Sequence, residues 1–331
     1  MSRVFISWPG YSPSDELTGN RLRSAGHEIT LHPKLGARSP AELSMLMGDA
    51  DAAIVSTDPF TAEVIAGNSK LRIIARVGVG TDSIDHAAAA EHGVAISITP
   101  GMNAETVADQ TLALILALIR KVVAQDSSVK AGKWERIGTL TPGELFGKTV
   151  GLIGAGTIGR AVMRRLSGFS VRTLFYDEYV PSLEGAEKAT SLEDLLARSD
   201  VVSLHAPLTA ETRGFIGAKA LKAMKASAFL INTSRGPLVD QDALFDALRR
   251  GEIAGAGLDV FAEEPPGAST LEGVPNLVTS PHIGGLSHES ILRMTVSATT
   301  SVLKVLAGEC PETVINPEAL HQAPSQRMSK K

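Results

Sequence analysis

Three short segments carry side chains suited to gripping an anion and moving a proton. Arg235, in the run NTSRG at 232–236, offers a planar guanidinium able to hold a carboxylate through two parallel hydrogen bonds. His282, in SPHIGG at 280–285, belongs to the side-chain type best suited to exchanging a proton near neutral pH. Glu264, in LDVFAEEP at 258–265, is placed to hold that imidazole. Singly, each has an ordinary reading: a surface ion pair, a turn, a satisfied loop. Jointly they point to a site, because each follows a short apolar run. Parallel strands deliver the loops that follow them to one edge of a sheet.

A fourth segment, Gly154-Ala155-Gly156-Thr157-Ile158-Gly159, has the spacing GxGxxG. Glycines in this spacing also serve plain turns, but here they follow an apolar run at 149–153 and open a helical pattern, which is the required context. Gly154 permits the tight turn, Gly156 lets the backbone approach a pyrophosphate, and Gly159 lets helix and strand pack closely. The helix start at Thr157 and Ile158 then turns its free N–H groups and dipole toward the anion. Asp177 ends the next apolar run, about 20 residues on, where an acid accepts hydrogen bonds from the adenosine ribose hydroxyls. A carboxylate there repels a 2′-phosphate and no Arg follows in that loop, so the predicted cofactor is NAD rather than NADP.

The elements that must position these groups alternate short apolar runs with helical patterns, which predicts parallel sheets covered on both faces. Runs at 4–7, 52–55, 71–75 and 94–97 read as the strands of a first lobe. Runs at 149–153, 173–176, 201–204, 229–232, 256–259 and 276–279 read as the strands of a second. Helices are expected between them at 157–166, 191–197, 218–224 and 241–250. The expected class is α/β: two doubly wound parallel-sheet (Rossmann-like) lobes with a cleft between them. Residues 1–101 with 286–317 would form the substrate-binding domain, 102–285 the NAD-binding domain, and 318–331 a disordered tail. The helical pattern at 104–123 is apolar almost all round, which predicts burial between lobes, against a second subunit or within its own chain. Residues 132–147, with Trp134, Pro142 and Phe146, read as an extended arm.

Composition excludes several other classes. A net charge of −4 offers no basic field for nucleic acid or an anionic membrane surface. The most apolar run, 111–119, is far short of the roughly 20 residues that span a bilayer. A lone cysteine, Cys310, excludes an intrachain disulfide and suits a reducing compartment. With no signal-like N-terminus, the expected location is cytoplasmic. His86, His92, His205 and His288 are scattered without a second ligand at useful spacing, so no metal site is predicted.

Between residues 71 and 285 the chain resembles the D-isomer-specific 2-hydroxyacid dehydrogenases, closest to the phosphoglycerate dehydrogenase branch. The resemblance rests on RVGVGTDSID, TPGMNAETVADQTL, GLIGAGTIG, SLHAPLT, NTSRGPLVD, LDVFAEEP and PHIGG. It implies that Arg235 holds the substrate carboxylate and carbonyl, that His282 is the general acid/base, and that Glu264 supports it, with Glu263 the alternative in another register. It further implies that Asp259 orients the nicotinamide carboxamide, with Thr233 along the same ring and Gly285 in the cofactor loop. His205 and Ala206 would border the adenosine and ribose. Backbone N–H groups of Val77 and Gly78 would cradle the substrate carboxylate, Val79 would face the cofactor, and Asn103 would add a polar contact. The implied reaction is hydride transfer between NAD and a small D-2-hydroxy acid, with 3-phosphoglycerate and its 2-oxo acid as one candidate pair and hydroxypyruvate or glyoxylate reduction as another. A homodimer through residues 104–147 is the implied partner, and the C-terminal regulatory domain of many phosphoglycerate dehydrogenases is not expected. The reading from another class is an NAD-sensing corepressor of the same fold, against which the retention of Arg235, Glu264 and His282 together argues.

Overall fold

The computed structural model describes residues 1–34 and 38–321, which divide into two compact units. The first comprises Met1–Asn103 and the chain from Ser287 onward. Its strands are β1 (Arg3–Ile6), β2 (Glu28–Leu31), β3 (Ala52–Val55), β4 (Ile73–Arg76) and β5 (Ala95–Ser97), all parallel in the order β2-β1-β3-β4-β5. The order reverses between β1 and β3, which makes the carboxyl edge there a topological switch point. Helices α1 (Gly19–Ser24), α2 (Pro40–Met47), α3 (Ala62–Ala66) and α4 (His86–Glu91) connect these strands. Leu43, Met47, Val64, Ile65 and Ala89 of α2–α4 cover one face of the sheet, and Leu22 of α1 the other.

The second unit, Ala104–Leu286, opens with α5 (Ala104–Ile119) and α6 (Val122–Lys130). The chain then alternates β6 (Thr149–Ile153), α7 (Thr157–Leu166), β7 (Arg172–Tyr176), β8 (Glu187–Lys188), α8 (Leu192–Arg198), β9 (Val201–Leu204) and α9 (Ala218–Ala223). It continues through β10 (Phe229–Asn232), α10 (Gln241–Arg250), β11 (Gly255–Leu258), α11 (Ala268–Leu271) and β12 (Leu277–Thr279). All seven strands are parallel, in the order β12-β11-β10-β9-β6-β7-β8. Ile115, Ala161, Val162 and Leu166 of α5 and α7 cover one face; Leu195, Leu221, Leu244 and Leu248 of α8–α10 cover the other. Local chemistry sets the helix ends. Ser191 and Asp240 each accept a first-turn N–H at the starts of α8 and α10, and Gly251 takes the left-handed φ of +67° that ends α10. A final helix, α12 (His288–Leu306), packs Met294, Ala298, Val302 and Val305 on the first unit's sheet, on the face that Leu22 covers.

Several sequence expectations change. Strand β2 has no apolar run because it is an edge strand whose residues are at most half-buried. The helix expected over 104–123 breaks at Lys121, which has φ +53° and separates α5 from α6. Nine residues of α5 are buried, largely against α7, β10 and β11, so its apolar surface is spent within its own unit. Residues 318–321 of the expected disordered tail are instead ordered: Pro317–His321 forms a 3₁₀ turn in which Ala319 is fully buried, and residues 322–331 lie outside the described residues.

Asn316 closes an edge. Its Oδ1 accepts the Ile96 N–H at 2.7 Å and its Nδ2 donates to the Val94 carbonyl at 3.0 Å, all buried. Asn316→Ala would strand both backbone groups. A loss of about 1–3 kcal/mol for each group left unsatisfied is expected in urea titrations. An unchanged midpoint would show that another partner reaches that edge.

Candidate active site

The loops after β10, β11 and β12 meet at one edge of the second sheet. Asn232, fully buried at the end of β10, accepts the Ser234 N–H at 3.0 Å and donates to the Arg235 carbonyl at 2.8 Å, so one side chain folds the turn that presents Arg235. Ser234 Oγ donates to the Ala206 carbonyl at 2.7 Å, tying that turn to the loop after β9. Gly236 packs directly on the loop after β11, where a Cβ would overlap the Phe261 carbonyl. That close approach sets Arg235 beside the segment bearing Glu264. The guanidinium itself is half-buried and donates to the Ser234 carbonyl at 2.8 Å.

Glu264 Oε2 lies 2.6 Å from His282 Nδ1, and Glu264 Oε1 accepts the Phe261 N–H at 3.0 Å. Burial works to raise the Glu264 pKa. The His282 hydrogen bond and charge, the Phe261 N–H and the Arg235 charge outweigh it, and the carboxyl is held below its usual range. It is therefore ionised at neutral pH and accepts, so Nδ1 carries the proton and Nε2 is left for chemistry. His282 and Glu264 are both exposed while Arg235 is half-buried, and a φ of +53° turns His282 out of the strand direction. Asp259, 1% exposed, organises this loop: its oxygens accept Ser280 Oγ at 2.6 Å, Ile283 N–H at 3.0 Å and Gly284 N–H at 2.7 Å. Gly285 follows, half-buried.

The dinucleotide loop lies at this sheet's switch point, between β6 and β9. Gly154 has φ +99°, and a Cβ there would stand 2.7 Å from the His205 carbonyl. A Cβ on Gly159 would overlap the Gly154 carbonyl, whereas one on Gly156 would meet nothing within 4 Å among the described residues. Gly154 and Gly159 are thus demanded by the protein's own packing, and Gly156 leaves open surface at the start of α7, beside exposed Thr157 and half-buried Ile158. These residues fit a pyrophosphate. Asp177 accepts the N–H groups of Ala155, Tyr179 and Val180 at 2.8, 2.9 and 3.0 Å. Burial pushes its pKa up, but those three donors prevail and lower it. Of about four acceptor positions on a carboxylate, one remains for a ribose hydroxyl. Thr233 Oγ1 lies 2.9 Å from Thr111 Oγ1, which itself donates to the Val107 carbonyl. Thr233 is therefore the donor of that pair. Burial lowers the His205 pKa to about 4, so the ring is neutral; Nε2 meets Ser203 Oγ at 2.9 Å and Nδ1 has no partner among the described residues.

One expectation needs correction. In the first unit the Val77 N–H donates to the Val55 carbonyl at 2.8 Å and the Gly78 N–H to Thr99 Oγ1 at 2.9 Å. Both residues are buried and both donors are spent, so they cannot cradle a substrate carboxylate. The open N–H groups lie two residues further on, at Val79 and Gly80, which have no acceptor among the described residues. Val79 is exposed, and Asn103 Oδ1 is buried without a partner among the described residues. The sequence reading also missed Asn232, Ser280 and Gln110. Only Asn232 carried a signal, as an amide at a strand end before the arginine.

A glycine cradle at a switch point and a proton-transfer pair at the same sheet edge define a class, the dinucleotide-dependent oxidoreductases. Comparison with known proteins narrows it. The profile described as "D-isomer specific 2-hydroxyacid dehydrogenase, NAD binding domain" matches residues 112–284, and the chain belongs to this family. It is 42% identical to the glyoxylate reductase of Korarchaeum cryptofilum, over 83% of this chain and 86% of that one. It is 38% identical to the D-3-phosphoglycerate dehydrogenase of Mycobacterium leprae, over 92% of this chain but 58% of that one. The crystal structure of the TT0316 protein from Thermus thermophilus superposes with a TM-score of 0.87 at 38% identity, covering 95% of this chain and 99% of that one. The protein is an NAD-dependent 2-hydroxyacid dehydrogenase.

Gly236→Ala should separate the Arg235 and Glu264 loops. A fall in kcat of about 100-fold is expected with the fold intact by circular dichroism. Turnover at the wild-type rate would show that the loops tolerate the added carbon.

Proposed function

We propose that the chain reduces a small 2-oxo acid without a phosphate group, glyoxylate or hydroxypyruvate, to the D-2-hydroxy acid. The observation that carries the chemistry is the 2.6 Å Glu264–His282 pair beside Arg235. When bound, NADH supplies the hydride that reduces C2. Arg235 holds the substrate carboxylate and carbonyl, and its charge stabilises negative charge growing on the C2 oxygen. His282 gives that oxygen a proton from Nε2, while Glu264, ionised and fixed on Nδ1, stabilises the cationic ring before transfer. In oxidation the same nitrogen takes the proton back.

Electrostatics at the carboxyl edge of the first sheet supports the choice of substrate. There Asp58 accepts Ser7 Oγ at 2.6 Å and Arg38 Nε at 3.2 Å. Arg38, with a side chain 4% exposed, also meets Glu42 and the His32 carbonyl, and Lys34 meets Glu42 at 2.8 Å. Arg76 donates to the Val77 carbonyl. These cations are committed to protein acceptors, and a phosphate needs uncommitted ones. Relatives named glyoxylate reductase match over 84–88% of their own length and those named D-3-phosphoglycerate dehydrogenase over 55–59%, at similar identity, which supports the same reading.

The assembly in this reading is a homodimer formed through α6 and the following arm. Val122, Val123, Val129, Trp134, Ile137 and Phe146 are large apolar side chains left exposed there. The single thiol, Cys310, supports a cytoplasmic setting.

NADH oxidation should be seen with glyoxylate or hydroxypyruvate and be much weaker with phosphohydroxypyruvate; preference for the phosphate would overturn the substrate assignment. His282→Ala should lower kcat by about 10²–10⁴ with NADH affinity nearly unchanged. Light scattering should give twice the chain mass of 34.7 kDa, and Ile137→Glu should return it to one.

A further inference from the structure

The loop that presents His282 begins at Ser280, and the direction of the hydrogen bonds there is forced. Gln110 Nε2, on α5, lies 2.8 Å from Ser280 Oγ, and an amide nitrogen only donates. Ser280 Oγ therefore accepts from Gln110 and spends its one hydrogen on Asp259 Oδ1, 2.6 Å away. Asp259 then gathers the N–H groups of Ile283 and Gly284 on its side chain and that of His282 on its carbonyl, at 2.8 Å. Gly284 shows how closely these parts fit. A Cβ on it would stand 2.7 Å from Asp259 Oδ2 and 3.6 Å from Gln110 Cγ.

His282 needs this scaffold. His282 has a φ of +53°, and a non-glycine residue in the left-handed region persists only where its surroundings over-determine it. Glu264 fixes the imidazole end. The backbone end is fixed by Asp259, whose acceptor at Oδ1 is aligned by Ser280, which Gln110 in turn orients. We propose that Gln110 is a positioning residue for His282, acting through Ser280 and Asp259. The proposal rests on the reading above, in which His282 moves the proton. A bland alternative is that Gln110 fills space on a half-buried helix face. Leucine has a similar volume and no donor, so it separates the two.

Gln110→Leu is expected to lower kcat about 10- to 100-fold while KM for NADH and for the oxo acid stays within about twofold. Ser280→Ala should lose a similar factor, Ser280→Thr should restore most of it, and the Gln110→Leu/Ser280→Ala double variant should be no worse than Ser280→Ala. Amide exchange in native protein should accelerate at Ile283 and Gly284 in Gln110→Leu, with the rest of the second unit unchanged. A Gln110→Leu enzyme with wild-type kcat would overturn the proposal, as would losses that multiply in the double variant or exchange unaltered at 283–284. A wild-type protein inert toward every 2-oxo acid would sink the proposed function instead, and the exchange measurement would still decide whether Gln110 holds this loop.

Discussion

Burying a carboxylate is costly unless donors meet its oxygens, and Asp259 is a buried carboxylate at the centre of the reactive edge. Two backbone N–H groups and a hydroxyl satisfy it, all from the loop after β12. The requirement runs both ways. Asp259 stays buried only while that loop wraps it, and the wrapped loop has one shape, with His282 turned outward. Glu264 can then reach Nδ1 because it follows Asp259 on the same strand-end loop. The proton-transfer pair is thus a by-product of satisfying one buried charge.

Parallel strands make this economical. Each of β9, β10, β11 and β12 ends at the same edge, so the loops carrying His205, Arg235, Glu264 and His282 need only short tethers to meet. The tethers are side chains the sequence spaces near strand ends: Ser234 on the Ala206 carbonyl, Asn232 on the Arg235 carbonyl, and the bare backbone of Gly236 under Phe261. Similar logic shapes the dinucleotide loop. There the His205 backbone crowds Gly154 and the Gly154 carbonyl crowds Gly159, so the protein's own packing demands two of its three glycines.

This division explains what the sequence made legible. Apolar runs announced most of the strands, because strands buried on both faces have no polar alternative. Edge strands β2 and β8 escaped, being short or half-exposed, as did the break at Lys121, where a local backbone angle ends a helix that the apolar pattern would continue. Arg235, Glu264 and His282 were legible because chemistry restricts residue type. Val77 and Gly78 were misassigned for the opposite reason. A backbone N–H has no residue type, and only the strand register, with Val77 still bonded to Val55 and Gly78 to Thr99, shows which donors are spent. Gln110 and Ser280 were invisible because their partners lie 170 residues apart.

The same accounting of spent groups bears on substrate size and charge. At the first unit's switch point, Lys34 and Arg38 face Glu42 and Asp58, two cations against two acids, so the cluster presents no net positive charge. A phosphate entering there would have to break an ion pair whose arginine is nearly fully buried, leaving Asp58 or Glu42 without its partner. A hydroxymethyl group asks for far less. A chain built to take phosphohydroxypyruvate would be expected to leave arginines uncommitted at this edge. Here the arginine of that cluster is consumed in holding the edge together.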